Sequence, residues 1–421
     1  MMKTTTLGHA AKCVLTGLLL LLPSCATETG TGGTTTPEPE IEKSFIRRSG
    51  TQLVVGETDQ IIYLRGVNLS YDRVSSDDPS EPWRLADYTD WGTPATGWYQ
   101  EKHFESIKEI GFNVVRLNLT YRIFEDNAAP GNWKESGWEL IDRLVGWGKK
   151  YNLYLILDMH VAPGGAGIVS CMGCGWRTWD ESVYQGRFKA LWRAIAERYA
   201  TEPQIAAYDL LNEPAPTEST SQWQNLAQAL IYEIRKVDKN HLIIVEMPVW
   251  IFDKNNQSPL ENYDTNVLGS FQFLVDDEDV VYDFHYYLPT AFTLQDETGV
   301  DGGKYPDEAK SESTIGGATM PRDKNYLDNE MKTITNFWAT QGVPANFGEW
   351  GTAISAIVDS ERGGIAYIQD MLGLMDERKM NWQFYYLNRI YRIDCCYDDN
   401  PTTPVSQPLI DLFKSYFASS R

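Results

Sequence analysis

Residues 154–158 read YLILD and residues 241–246 read HLIIVE. Each is a short apolar run without alternation, the pattern of a strand covered on both faces inside a parallel sheet. Six further β-rich runs lie at Ile61 to Val67, Asn113 to Leu117, Ala206 to Leu211, Val280 to His285, Pro344 to Glu349 and Trp382 to Tyr386. Helical patterns separate them. Phe188, Leu191, Trp192, Ile195, Ala196 and Tyr199 recur at the spacing of a single helical face. Phe104, Ile107 and Ile110 make a shorter face that stops at Gly111, a residue suited to the left-handed position after a helix. Strand then helix, eight times over, predicts an α/β chain closed into a (β/α)8 TIM barrel, with Ser44 to Gln60 as a hairpin across its bottom. The rival, an open doubly wound sheet, wants a glycine fingerprint at its first helix, and Val67 is followed by Asn-Leu-Ser-Tyr instead.

The whole chain agrees with a single large catalytic domain. Its 421 residues are 42% hydrophobic, 23% charged and 12% aromatic, which excludes a disordered or fibrous protein. With 37 Lys and Arg against 58 Asp and Glu the net charge is −21, a field that repels phosphate backbones and argues against nucleic acid as a partner. Residues 1–24 read as a signal peptide: Lys3 and Lys12 precede an apolar stretch from Val14 to Leu22, shorter than the roughly 20 residues that span a bilayer. It ends in Leu22-Pro23-Ser24-Cys25, which resembles the lipobox of bacterial lipoproteins, where cleavage precedes an acylated Cys. Cys25 is thus the expected lipidation site, and Ala26 after it implies an exported protein of the outer membrane, held there through its lipid alone. An ordinary signal peptide with an incidental Cys is the other reading. Removing residues 1–24 takes away two Lys and no acid, so the mature charge is −23. Residues 25–43 follow as a lipidated Cys and a Gly, Thr, Pro and Glu linker too poor in apolar groups to order itself. The catalytic domain is expected over 44–421.

In such a barrel chemistry sits at the C-terminal strand ends. There the sequence places Arg65-Gly66-Val67-Asn68, Arg116, Asp158-Met159-His160, Asn212-Glu213-Pro214, His285-Tyr286-Tyr287, Gly348-Glu349-Trp350 and Trp382. Glu213 and Glu349 lie 136 residues apart yet would face one another across the mouth. Paired carboxyls suit acetal cleavage, one protonating the leaving oxygen and the other attacking the anomeric carbon; a spacing of about 5 to 5.5 Å implies retention of configuration. Alone, either Glu reads as a solvated or salt-bridged side chain. His285 and Tyr287, at i and i+2, share a strand face and can both point into the mouth. Of five His, those at 160 and 285 stand at strand ends. No HExxH is present, so a metal hydrolase is disfavoured and no metal or cofactor is expected.

The ordered elements RGVNL (65–69), GFNVVRL (111–117), LDMH (157–160), LLNEP (210–214), HYY (285–287), FGEWG (347–351) and Trp382 resemble the cellulase-type glycoside hydrolases of family 5, retaining enzymes on this barrel. The resemblance implies that Glu213 is the acid/base and Glu349 the nucleophile. It gives Arg116 the counter-charge to Glu349, Asn212 a hydrogen bond to the sugar 2-hydroxyl, and Tyr287 a hydrogen bond to the nucleophile. His160 and His285 would hold the sugar ring or orient the carboxylates, and Trp382 would be the platform beneath the sugar. Trp176, Trp179, Trp250 and Trp350 could line further subsites, or simply pack.

The loop 161–179, VAPGGAGIVSCMGCGWRTW, departs from the common endoglucanase form and its APGG is closer to the exo-1,3-glucanase branch. Cys171, Cys174, Cys395 and Cys396 remain once Cys13 is lost with the signal and Cys25 is lipidated. In an exported chain they are expected as disulfides joining the loops after strands three and eight, since a vicinal bridge is strained; a zinc site is the alternative. The acidic run Asp276 to Asp279 could hold Ca2+ or be a solvated turn. Taken together, the expectation is a monomeric, membrane-anchored retaining β-glycosidase on an oligo- or polysaccharide, a neutral β-linked glucan, most simply an endo-β-1,4-glucanase. A β-1,3-glucanase, an exo-glucosidase or a β-mannanase would use the same pair. A non-catalytic glycan-binding lipoprotein would have no need of both carboxylates.

Overall fold

The computed structural model describes residues 44–69, 74–75, 84–85, 100–165, 176–248, 250–253, 258–262, 272–391 and 404–419. The signal, linker and Cys25, and the four loop cysteines Cys171, Cys174, Cys395 and Cys396, lie outside the described residues. Eight parallel strands close into a barrel. They are β1 Arg65–Leu69, β2 Val114–Thr120, β3 Tyr154–Val161, β4 Ile205–Asp209, β5 Leu242–Glu246, β6 Val280–Asp283, β7 Ala345–Trp350 and β8 Asn381–Phe384. Each pairs with the next in the chain, and β8 pairs with β1. Long helices pack outside: α1 Glu101–Ile110, α2 Glu135–Tyr151, α3 Ser182–Tyr199, α4 Thr220–Arg235, α5 Lys324–Gln341, α6 Gly364–Glu377 and α7 Gln407–Ser419. Between β5 and β6 the described residues form a hairpin, Trp250–Asp253 with Ser258–Asn262.

The buried face of α3 is the stripe the spacing predicts, Phe188 through Tyr199. Helix α1 ends at Gly111, whose φ of +116° is open to glycine and costly for other residues. The first strand differs from expectation. The run Ile61 to Val67 is split, because side-chain amides take over the backbone bonds in its middle. Asn113 bonds Tyr63 O and Arg65 N, and Asn381 accepts from Leu64 N. Gln60–Ile62 therefore joins Ile46–Ser49 and Gln52–Val55 in a small antiparallel sheet, and the barrel wall begins at Arg65. Gly66 follows at a close approach of strands: a Cβ there would lie 2.0 Å from the Val114 carbonyl.

Strand alternation divides the interior into layers. Val114, Ile156, Ala207, Ile244 and Val281 point inward and pack with Ile46 and Leu53 of the small sheet, which plugs the floor. Two residues further along each strand, Arg116, Asp158, Asp209, Glu246 and Asp283 also point inward, above that floor and fully buried. The acidic run is partly consumed by the scaffold: Arg235 bonds Asp277 at 2.7 and 3.0 Å, and Asp279 accepts from Arg48 N at 3.1 Å. No described helix is long and apolar enough to cross a membrane.

Candidate active site

Arg116 is the centre of the polar layer. Its Nε donates to Asp209 at 2.9 Å, Nη1 to Asn68 at 2.9 Å and Glu349 at 3.1 Å, and Nη2 to Asn212 at 3.1 Å and Glu246 at 2.7 Å. Asp158 stands 3.2 Å from Nη2. One buried guanidinium thus faces four carboxylates, an arrangement its planar fork of five donors can satisfy and a lysine could not. Asn212 spends its carbonyl oxygen on Arg116, which turns its amide NH2 to the opposite edge.

Glu213 and Glu349 converge as expected, with His285 between them. His285 Nδ1 lies 2.9 Å from Glu213 Oε1 and 3.5 Å from Glu349 Oε2. One carboxylate oxygen of each Glu and the imidazole nitrogen all fall within 4.8 Å of one another. Tyr287 Oη donates to Glu349 Oε2 at 3.0 Å. Burial and the adjacent Glu349 push the phenol well above its ordinary range, which keeps that proton in place. The Glu349 carboxyl is itself raised by burial; His285 opposes the rise, Glu213 adds to it, and Arg116 and His160 oppose it. Burial acts to lower the His285 imidazole, but Glu246 and Glu349, with Glu213, hold it well above its usual value. Glu213 carries φ +44°, a left-handed backbone uncommon for a non-glycine residue, and its N–H donates to Glu246 Oε2 at 2.7 Å.

His160 sits at the rim with Nδ1 2.8 Å from Asp158 Oδ2 and 2.8 Å from Asn118 Nδ2. Burial acts to lower it, but Asp158, with Glu349, raises it above its ordinary value. Trp382 is not at the mouth. Asn381 and Gln383 occupy the inward positions of β8, so parity turns Trp382 outward, fully buried against Phe112, Trp350, Phe413 and Phe417. The aromatic residue that β8 delivers to the mouth is half-buried Tyr385, whose ring meets Tyr287 edge-on at 6.4 Å. Trp179 and Trp350 are buried in the core and Trp176 packs against it, while the Trp250 side chain lies outside the described residues.

Besides Tyr385, Asp209, Glu246 and Asp283 go unmarked in the sequence, and Asn68, placed at its strand end, is given no role there. The available signal was an acid embedded in a run otherwise apolar: AAYDL, LIIVE, VVYDF. Asp158, Asp209 and Glu246 offer oxygens close enough to share a cation, but all three face Arg116, which already supplies that charge.

A charge-balanced pair of carboxylates, Glu349 buried and Glu213 partly exposed, at the C-terminal mouth of a (β/α)8 barrel defines the class of hydrolases that cleave glycosidic bonds. Sequence comparison agrees: the pattern of the cellulases, glycosyl hydrolase family 5, matches residues 68–389, and the chain belongs to that family. Endoglucanase C of Acetivibrio thermocellus is 31% identical over 337 residues, 74% of this chain and 90% of that one. Cellodextrinase A of Ruminococcus flavefaciens is 31% identical over 201 residues, 47% of this chain and 54% of its own. The crystal structure of an endoglucanase from the hyperthermophilic Thermotoga maritima shares the fold, with a TM-score of 0.59 at 20% identity over 83% of this chain and 96% of that one.

Proposed function

We propose that this glycosidase is a retaining endo-β-1,4-glucanase acting through Glu213 and Glu349. The observation that carries the reading is the separation of their carboxylate oxygens, within 4.8 Å, which leaves no room for the water an inverting mechanism needs between carboxylate and sugar. Glu349, anchored by Arg116 and Tyr287, attacks the anomeric carbon. Glu213, the more exposed of the two, gives its proton to the leaving oxygen and then takes one from the water that releases the glycosyl ester. Asn212 offers its NH2 to the 2-hydroxyl, and Tyr385 supplies the aromatic surface that was expected of Trp382. Likeness to Endoglucanase C over most of both chains supports an internal β-1,4 cut.

Glu349→Ala is expected to lower kcat on a soluble cellulose derivative by at least about 10³-fold with glycan binding retained; full turnover in the variant would overturn the assignment, and glycan binding with no turnover in the parent protein itself would favour a pure glycan-binding protein. A second reading, an exo-acting or β-1,3-glucanase, draws on the turn after β3, where Gly164 and Gly165 both take positive φ in the APGG segment. Product sizing on cellulose, laminarin and mannan separates it from the first.

The chain is further proposed to be an exported lipoprotein, cut before Cys25 and held on the outer membrane by that residue's lipid. Cys25→Ala should move activity from the membrane fraction to the soluble one, and unchanged fractionation would count against the anchor.

A further inference from the structure

At the end of β5, Glu246 is 1% exposed and is not one of the reacting pair, yet it touches the support of both. Its Oε1 accepts from Arg116 Nη2 at 2.7 Å, the guanidinium that also holds Glu349. Its Oε2 accepts from the backbone N–H of Glu213 at 2.7 Å, and the same oxygen lies 3.4 Å from His285 Nε2. The far side of that imidazole, Nδ1, meets the Glu213 carboxylate at 2.9 Å. Glu246 therefore bears on Glu213 in two ways: by a hydrogen bond to its main chain, where φ is +44°, and by its charge across His285, whose Nε2 makes no hydrogen bond while Nδ1 meets the Glu213 carboxylate. Strand β5 is in turn pinned where it ends, because Trp223 Nε1 of α4 donates to the Glu246 carbonyl at 2.8 Å.

We infer that Glu246 is the positioning residue of the acid/base side of the site, fixing the Glu213 carboxyl where the leaving oxygen will be. The inference rests on the reading of Glu213 as acid/base. Glu246 suits the task because its charge does not take part in the reaction. Glu349 loses its charge when it is glycosylated and Glu213 changes protonation in each half-reaction, while Glu246 continues to balance Arg116 and His285. The other acids facing it are Asp158, Asp209 and Asp283, and the Glu213 N–H is bonded to Glu246. An amide at this position has one acceptor oxygen for two donors on opposite sides, so its NH2 would confront either Arg116 or the Glu213 N–H.

The test uses aryl β-cellobiosides whose phenols range from strongly to weakly acidic. A dinitrophenolate departs without a proton, whereas a weakly acidic phenol needs the general acid. For Glu246→Gln, kcat/KM should fall about 10²-fold on the weakly acidic phenol and less than about 5-fold on the dinitrophenyl glycoside, the contrast expected when proton donation alone is impaired. Glu246→Asp, which keeps the charge and shortens the reach, should recover part of the loss, and it carries the same comparison if Glu246→Gln does not fold. Equal loss on every leaving group, or no loss, overturns the inference. Glu213→Ala run alongside separates the two levels. Selectivity in Glu213→Ala without selectivity at Glu246 rejects this inference alone, and no selectivity in Glu213→Ala rejects the acid/base reading itself.

Discussion

Asp283 is a residue whose chemistry departs far from that of its free amino acid. It lies fully buried under His285, with Oδ2 bonded by Asn346 and no hydrogen-bond partner for Oδ1. Burial, with Glu246 adding to it, pushes the carboxyl up to about 8. A raised carboxyl has a definite consequence for stability. Below about pH 4 it is protonated in both folded and unfolded chains. Between there and about 8 the unfolded chain releases the proton while the folded one keeps it, so stability falls as pH rises and the loss is complete above about 8. Asp283→Asn cannot ionise, and its carbonyl can still accept from Asn346. The variant is expected to gain at least about 1 kcal/mol over the parent at pH 8 relative to pH 5, measured by denaturant unfolding at each pH. An equal difference at both would mean that Asp283 is already ionised in the folded protein.

Strand β8 shows where reading by element succeeds and where it stops. The existence of all eight strands was legible because doubly covered strands are apolar throughout, and α3 was legible because one helical stripe must face the sheet. That same lack of alternation hides which residues point into the barrel. Motif order points Trp382 to the mouth, yet Asn381 and Gln383 hold the inward positions and the mouth receives Tyr385 three residues later. The register of β7 against β8 shifts between Phe347 and Trp350, and nothing in the composition of either strand announces it. Glu246 escaped for a related reason: an acid ending LIIVE reads as the polar stop of a strand until barrel closure brings it to Arg116. Glu213, Glu349, Arg116, His285 and Tyr287 were legible because their residue types are demanded by the chemistry at strand ends. The two aromatics of β8 should therefore separate in experiment. Trp382→Ala is expected to cost about 3–5 kcal/mol of stability as a core truncation. Tyr385→Ala should leave the thermal midpoint within a few degrees while raising KM several-fold, about 1 kcal/mol of lost ring contact. The reverse pattern in unfolding and kinetics would restore Trp382 to the site.

At the scale of the molecule, an apolar floor sealed by the small N-terminal sheet carries a polar layer in which buried acids crowd around Arg116, His285 and His160. Buried charge of this density is held only when it is paired from several elements at once. Here Glu349 on β7 is fixed by Arg116 on β2, and Glu213, just after β4, by Glu246 on β5 and by His285, which follows β6. The closed barrel is thus what sets the distance between the Glu213 and Glu349 carboxyls, the pair proposed to react, and on that proposal the distance sets the stereochemical course. Proton NMR of the first sugar released from a soluble cello-oligosaccharide, recorded before mutarotation, tests this most directly. The β-anomer should appear first, with the α-anomer growing in only as the product equilibrates; an initial α-anomer would mean inversion, and with it that Glu213 and Glu349 are not the reacting pair at the separation described.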